Sequence, residues 1–387
     1  MRGPARLMAV LAVAAATGVA AAADRFVPMD AGFVVANVRQ SQPDERLHEL
    51  LLAWRANPGN GESAALATAY IDRARTLREP AFFGRAEAVL APLAQKPEAS
   101  APVRRLYAEV LQYRHDFNGA EKLLDALLRD APHDSDARLL RASVRLVRGE
   151  FAGARADCAQ LAVAARGGAT LGFACLAEAF AGSGDLARAL ALLNSEPARH
   201  ADADPLARAY LLATRAELRE RSRDPNGAIL DYCEALKLAP RDDSIRAALA
   251  DALAARGDLG DARDLLAIDK PSLALLVRSA ALSEGAQRSN LSARATAWLA
   301  LEAARGDAIH YREEALLALA DADTARALAA AVRNFEQQRE LPDVRVLARA
   351  AHAARDASAL EALQRWMRET GYRDSVTEGI LADGASS

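Results

Sequence analysis

The chain has 387 residues, enough for two or three ordinary domains or one long array of repeats, and carries a formal charge of −3. Half of it is hydrophobic (51%) but only 5% is aromatic, about a quarter is alanine, and mean hydropathy lies near zero (−0.06), which excludes a membrane bundle and favours helix. Arginine greatly outnumbers lysine, yet the balance is acidic, so the basic stripe that a nucleic acid demands is missing and no nucleic-acid partner is expected.

The first 23 residues read as a secretory signal peptide. Arg2 and Arg6 form a basic start, Leu7 to Ala20 is apolar, and Ala21-Ala22-Ala23 precedes Asp24 as a small-residue cleavage site. The apolar run is short for a bilayer span, and no other segment is apolar for long enough to make one. The mature chain is therefore expected to be exported, periplasmic or secreted, with its charge moved from −3 to −5 by loss of the two arginines. Residues 24–60 form an N-terminal extended segment and a capping helix, Asp44 to Ala56, that ends at Asn57-Pro58.

From 61 to 270 the chain is periodic. Ala86, Ala120, Ala154, Ala189, Ala228 and Ala262 are 34, 34, 35, 39 and 34 residues apart. Twelve residues before each stands a second alanine: Ala74, Ala108, Ala142, Ala177, Ala216 and Ala250. Four residues after each stands a larger residue: Leu90, Leu124, Cys158, Leu193, Tyr232 and Leu266. Between the paired alanines come helix stops such as Gly149-Glu150, Gly184-Asp185 and Gly257-Asp258, with His115-Asp116 a variant lacking glycine. Pro132 and Pro240 fall where second helices must end.

The 34-residue period, paired small residues, Gly-Asp turn and terminal proline resemble the tetratricopeptide repeat, clearest from Leu106 to Pro132 and from Ala216 to Pro240. The resemblance implies an all-α, right-handed superhelical solenoid of antiparallel helix pairs, in which stacking neighbours build one continuous core. Residues 271–380 read as degenerate helical repeats, and 381–387 as a disordered tail. The stretches His310 to Glu314 and Asn334 to Glu340, with Pro342, look like a group of exported proteobacterial repeat proteins, a resemblance that implies no chemistry.

Catalytic motifs are absent: there is no HExxH, GxxxxGK, GxSxG or strand-borne GxGxxG, and His48-Glu49 is followed by Leu52 where a second zinc ligand would stand. No enzyme activity, cofactor or metal is expected. His310 with Glu313 and Glu314 could bind a metal or shuttle a proton, or could simply open a helix. Arg256-Gly257-Asp258 spells an adhesion tripeptide that the turn chemistry already accounts for, and Asn290-Leu291-Ser292 is a formal glycosylation sequon. Cys158 and Cys175 belong to adjoining helices of neighbouring units; they either form a bridge worth about 3 kcal/mol in the chain-entropy estimate or act as two buried thiols.

In a superhelix of this kind the residue after the first-helix alanine points into the concave groove. Glu109, Ser143, Glu178, Glu217 and Asp251 occupy that place, with Tyr113 and Tyr210 adding aromatic contacts. Such an acidic ladder suits a protein or peptide with a basic segment, and equally suits a solvated face. The leading expectation is a non-enzymatic binding scaffold of the cell envelope. The alternatives are a structural assembly factor of a secretion, pilus or polysaccharide-export machine, and an enzyme with its site around His310 and Trp298.

Overall fold

The computed structural model describes residues 44–384 except 78, 80, 164–168, 196–203 and 306–309. The expected signal peptide and cleavage site, with residues 24–43, lie outside the described residues. All secondary structure among the described residues is helical, and no described helix is long and apolar enough to cross a membrane.

After α1 (Glu45–Ala56) the helices come in pairs. These are α2 (Asn60–Leu77) with α3 (Ala81–Ala94), α4 (Ala101–Tyr113) with α5 (Phe117–Asp130), and α6 (Ser135–Val147) with α7 (Phe151–Ala162). Next come α8 (Ala169–Gly182) with α9 (Leu186–Ser195), α10 (Pro205–Arg221) with α11 (Pro225–Leu238), and α12 (Asp243–Arg256) with α13 (Leu259–Leu266). The later pairs are α14 (Leu273–Ala281) with α15 (Gly285–Arg305), α16 (Tyr311–Ala320) with α17 (Thr324–Gln337), and α18 (Leu341–Ala354) with α19 (Ala357–Thr370). The last helix, α20 (Ser375–Gly384), runs past the point where the tail was expected to lose order, because Leu381 is buried in the core. The architecture is an all-α solenoid of helix pairs.

Alanine is what allows the pairs to close. All twelve paired alanines are buried, none more than 4% exposed, and so are the six larger residues one turn further along the second helix. A methyl group brings the two axes together; the larger residue fills the space beside the neighbouring pair. The turns follow from local chemistry. Gly149, Gly184 and Gly257 adopt the left-handed conformation, which glycine takes without a Cβ penalty. At other helix starts aspartates cap: Asp116 accepts from Gly119 N, Asp134 from Ala137 N and Asp224 from Gly227 N, each at 2.9 Å. Cys158 on α7 and Cys175 on α8 are joined by a disulfide, with Cα atoms 5.5 Å apart.

The array does not remain open. One hydrophobic cluster combines Leu146, Phe151 and Ala179 from the early pairs with Ala315, Val344, Leu363 and Leu381 from the late ones. The late helices dock on the edge formed by the turns inside the early pairs. Arg339 N donates to Val147 O at 2.6 Å and its guanidinium to Arg148 O at 2.7 Å. Arg221 on α10 donates to Arg373 O at 2.8 Å and lies over the Tyr372 ring. Arg345 on α18 pairs with both Glu220 on α10 and the fully buried Asp374. The solenoid thus coils back on itself, and its concave side becomes an interior.

Candidate functional site: the lining of the coil

The acidic ladder is not uniform. At its two ends arginine neutralises it: Arg75 bonds Glu109 at 2.5 Å, and Arg278 holds Asp251 through three bonds of 2.7 to 2.9 Å. Ser143 accepts from Gln112, and Tyr113 is stacked on Phe83 with ring centres 3.7 Å apart. The middle differs. Glu178 on α8 accepts from Tyr210 Oη and Thr214 Oγ1 on α10, both at 2.8 Å, and these are neutral donors. Glu217, two turns along α10 from Tyr210, has no hydrogen-bond or ion-pair partner among the described residues.

Both carboxyls are half-buried, and partial loss of water together with their acidic neighbours sets the state of this pair. Burial pushes the Glu178 carboxyl up to about 7 and the Glu217 carboxyl up to about 8, and their mutual repulsion with Glu340 adds to the rise at Glu217. Glu340, raised chiefly by burial, is itself paired with Arg312 at 2.7 Å. It immediately precedes α18 and reaches this region only because the coil closes. No reading of local periodicity could place a residue so distant in sequence beside Glu217.

A cavity of about 740 Å³, which shares α10 with these acids, has walls from α2, α3, α4, α10, α11, α12, α14, α15 and α16. Its surface is mainly apolar. Tyr113, Leu206, Leu273 and Trp298 line it, and Leu206 is 65% exposed. Ser272 Oγ, buried in the wall at the start of α14, has no hydrogen-bond partner among the described residues. The alanine register does not point to Leu206, although it stands one turn before Tyr210 on the same helix face.

His310 also borders the cavity, but its partner is neither of the acids that follow it. Its Nδ1 lies 2.9 Å from Glu302 Oε2 on α15, Glu302 accepts from Trp298 Nε1 at 2.8 Å, and Glu314 pairs with Arg326. Burial pulls the His310 pKa down most strongly, but the bond to Glu302 and the charges of Glu313 and Glu302 together raise it on balance. His115, whose ring centre lies 5.8 Å from that of His310, is pushed down to about 4 by burial and by the charges of His310 and Arg312. Among the described residues no group of three or more His, Cys, Asp or Glu side chains is arranged to hold a metal ion.

No family model and no curated protein matches this sequence. Solved structures do. A thermophilic tetratricopeptide protein of Thermus thermophilus is 20% identical (TM-score 0.38) over 52% of this chain and all of its own. A tetratricopeptide repeat protein of Parabacteroides merdae is 11% identical (TM-score 0.39) over 84% of this chain and 99% of its own. Human IFIT1, solved as a dimer with PPP-AAAA, is 15% identical (TM-score 0.49) over 84% of this chain and 77% of its own. These are likenesses of helical repeat architecture at low identity, and what this chain binds must be read from its own lining.

Proposed function

We propose that the protein is a non-enzymatic, exported scaffold whose coiled interior holds a cationic segment of a partner protein. The observation that carries this reading is Glu217, a half-buried carboxyl close to the acids Glu178, Glu340 and Glu220, whose nearest opposing charge, Arg221, makes no hydrogen bond or ion pair with it among the described residues. The raised pKa of Glu217, about 8, favours its protonated form while the site is empty. An arriving ammonium or guanidinium favours the ionised form, so the proton leaves and a charge-assisted contact replaces it. Export follows from the leader-like first 23 residues, and would place the partner in the cell envelope or outside the cell.

The test is cross-linking of the tagged protein in its native envelope, followed by purification under denaturing conditions and identification of what is attached. Glu178→Gln and Glu217→Gln are run beside the wild type. The expected outcome is one dominant partner with a Lys- or Arg-bearing extended segment, lost from the double variant. Recovery of RNA, or of a partner retained in full by the double variant, would overturn the reading. Several subunits of one export machine, attached equally to both proteins, would instead favour an assembly factor.

A further inference from the structure

One face of α10 links the cavity to the acids. On α10, Leu206, Tyr210, Ala213 and Glu217 recur at intervals of 4, 3 and 4 residues, which puts them on a single helix face. Leu206 borders the apolar cavity, Tyr210 bonds Glu178, and Glu217 is the unpaired carboxyl. Leu206 and Tyr210 are both exposed large side chains on that face, although the helix has apolar core to join on its other side. From Leu206 to Glu217 the helix rises about 16 Å at ~1.5 Å per residue. An extended peptide covers that distance in about five residues at ~3.3 Å each.

We propose, building on the cationic-segment reading, that the occupant is an extended peptide with two anchors. A large apolar or aromatic side chain enters the cavity between Leu206, Tyr113 and Trp298. A lysine or arginine about five residues away reaches Glu217 and Glu178. Charge complementarity fixes the cationic end, and the predominantly apolar wall fixes the other. The unpartnered Ser272 hydroxyl, buried in the cavity wall, supplies a hydrogen bond to the peptide main chain beside the apolar anchor. Neither anchor alone distinguishes this segment from any basic or any greasy one; the spacing does.

The probe is a capped synthetic peptide, Trp-Gly-Ser-Gly-Ser-Arg, titrated into the full chain by calorimetry. One control has the same composition with Trp and Arg adjacent; the other keeps the order and replaces Arg by glutamine. The spaced peptide is expected to bind about tenfold more tightly than either control, the scale of one charge-assisted contact. Leu206→Ser and Glu217→Gln, both at positions that water reaches, should each remove that advantage while leaving the helical circular dichroism unchanged. Equal affinity of the spaced and adjacent peptides, or an undiminished affinity in Leu206→Ser, would overturn the two-anchor proposal. If in addition the Gln variants kept their cross-linked partner, the cationic-segment reading would fall with it; if they lost it, only the spacing would be wrong.

Discussion

A glutamate next to a helix-packing alanine carries different chemistry at each rung of this ladder. Glu109 and Asp251 are bonded to arginines, whereas half-buried Glu178 and Glu217 make no bond to one among the described residues. For the latter two the folded-state pKa lies above the ordinary carboxyl range, at about 7 and about 8. Between that range and those values the folded chain binds more protons than the unfolded chain, so their contribution lowers stability as pH rises from about 4.5 to about 8. Glu217→Gln removes one of these protons from the balance. In urea titrations at about pH 5 and about pH 9, the wild type should lose more stability than the variant on going to the higher pH. An equal loss in both would show that Glu217 ionises as a solvated carboxyl. In binding, the same linkage predicts proton uptake by the buffer when a cationic peptide enters.

At the scale of the helix pair, one arrangement occurs twice. Arg141 precedes Ala142 on α6 and forks onto Asp157 of α7; Arg215 precedes Ala216 on α10 and forks onto Asp231 of α11. Both aspartates are buried, at 2% and 4% exposure, and each lies three residues after the second-helix alanine of its pair. The guanidinium therefore spans the alanine contact and ties the two helices of one unit. Arg215→Met would leave Asp231 with Arg219 alone and should destabilise the chain by about 3 kcal/mol. Adding Asp231→Leu should restore most of the loss, since a buried pair exchanged for apolar side chains costs little. Chemical denaturation of the single and double variants measures both. A double variant as unstable as the single one would mean that the pair organises the unit beyond satisfying its own charges.

For the whole molecule the decisive event is closure, and two glycines separate it from local turn geometry. Gly184 and Gly257 both have left-handed backbones, with φ of 90° and 97°. A Cβ on Gly257 would meet open space, while one on Gly184 would lie 2.6 Å from Gly371 O in the returning segment. Gly257→Ala should cost about 1 kcal/mol through backbone strain. Gly184→Ala should cost about 3 kcal/mol, because a backbone contact between distant turns must also part. Thermal melts compare the two, and equal shifts would mean that the docking of the late helices contributes little. The shared cluster also means that deleting the chain after Ser272 would strip apolar cover from α6 to α8, so single substitutions test the interior more cleanly than truncation.

The repeat, the helix pairs and the turns were legible in the amino-acid order because each depends on neighbours within about one unit. Alanine permits close axes, glycine takes the left-handed turn, and aspartate satisfies the free amides of the following helix. The alanine register also picked out Glu109, Glu178, Glu217 and Asp251 as one ladder of equivalent first-helix positions. It did not reveal that arginines would neutralise the two ends of that ladder. Nor could it show that Glu340 would join the middle, that His310 would turn to Glu302, or that a cavity would open beside Leu206. Those outcomes depend on how far the solenoid curls and which turns meet when it does. That is the accumulated sum of many small rotations between pairs, with no single residue to signal it.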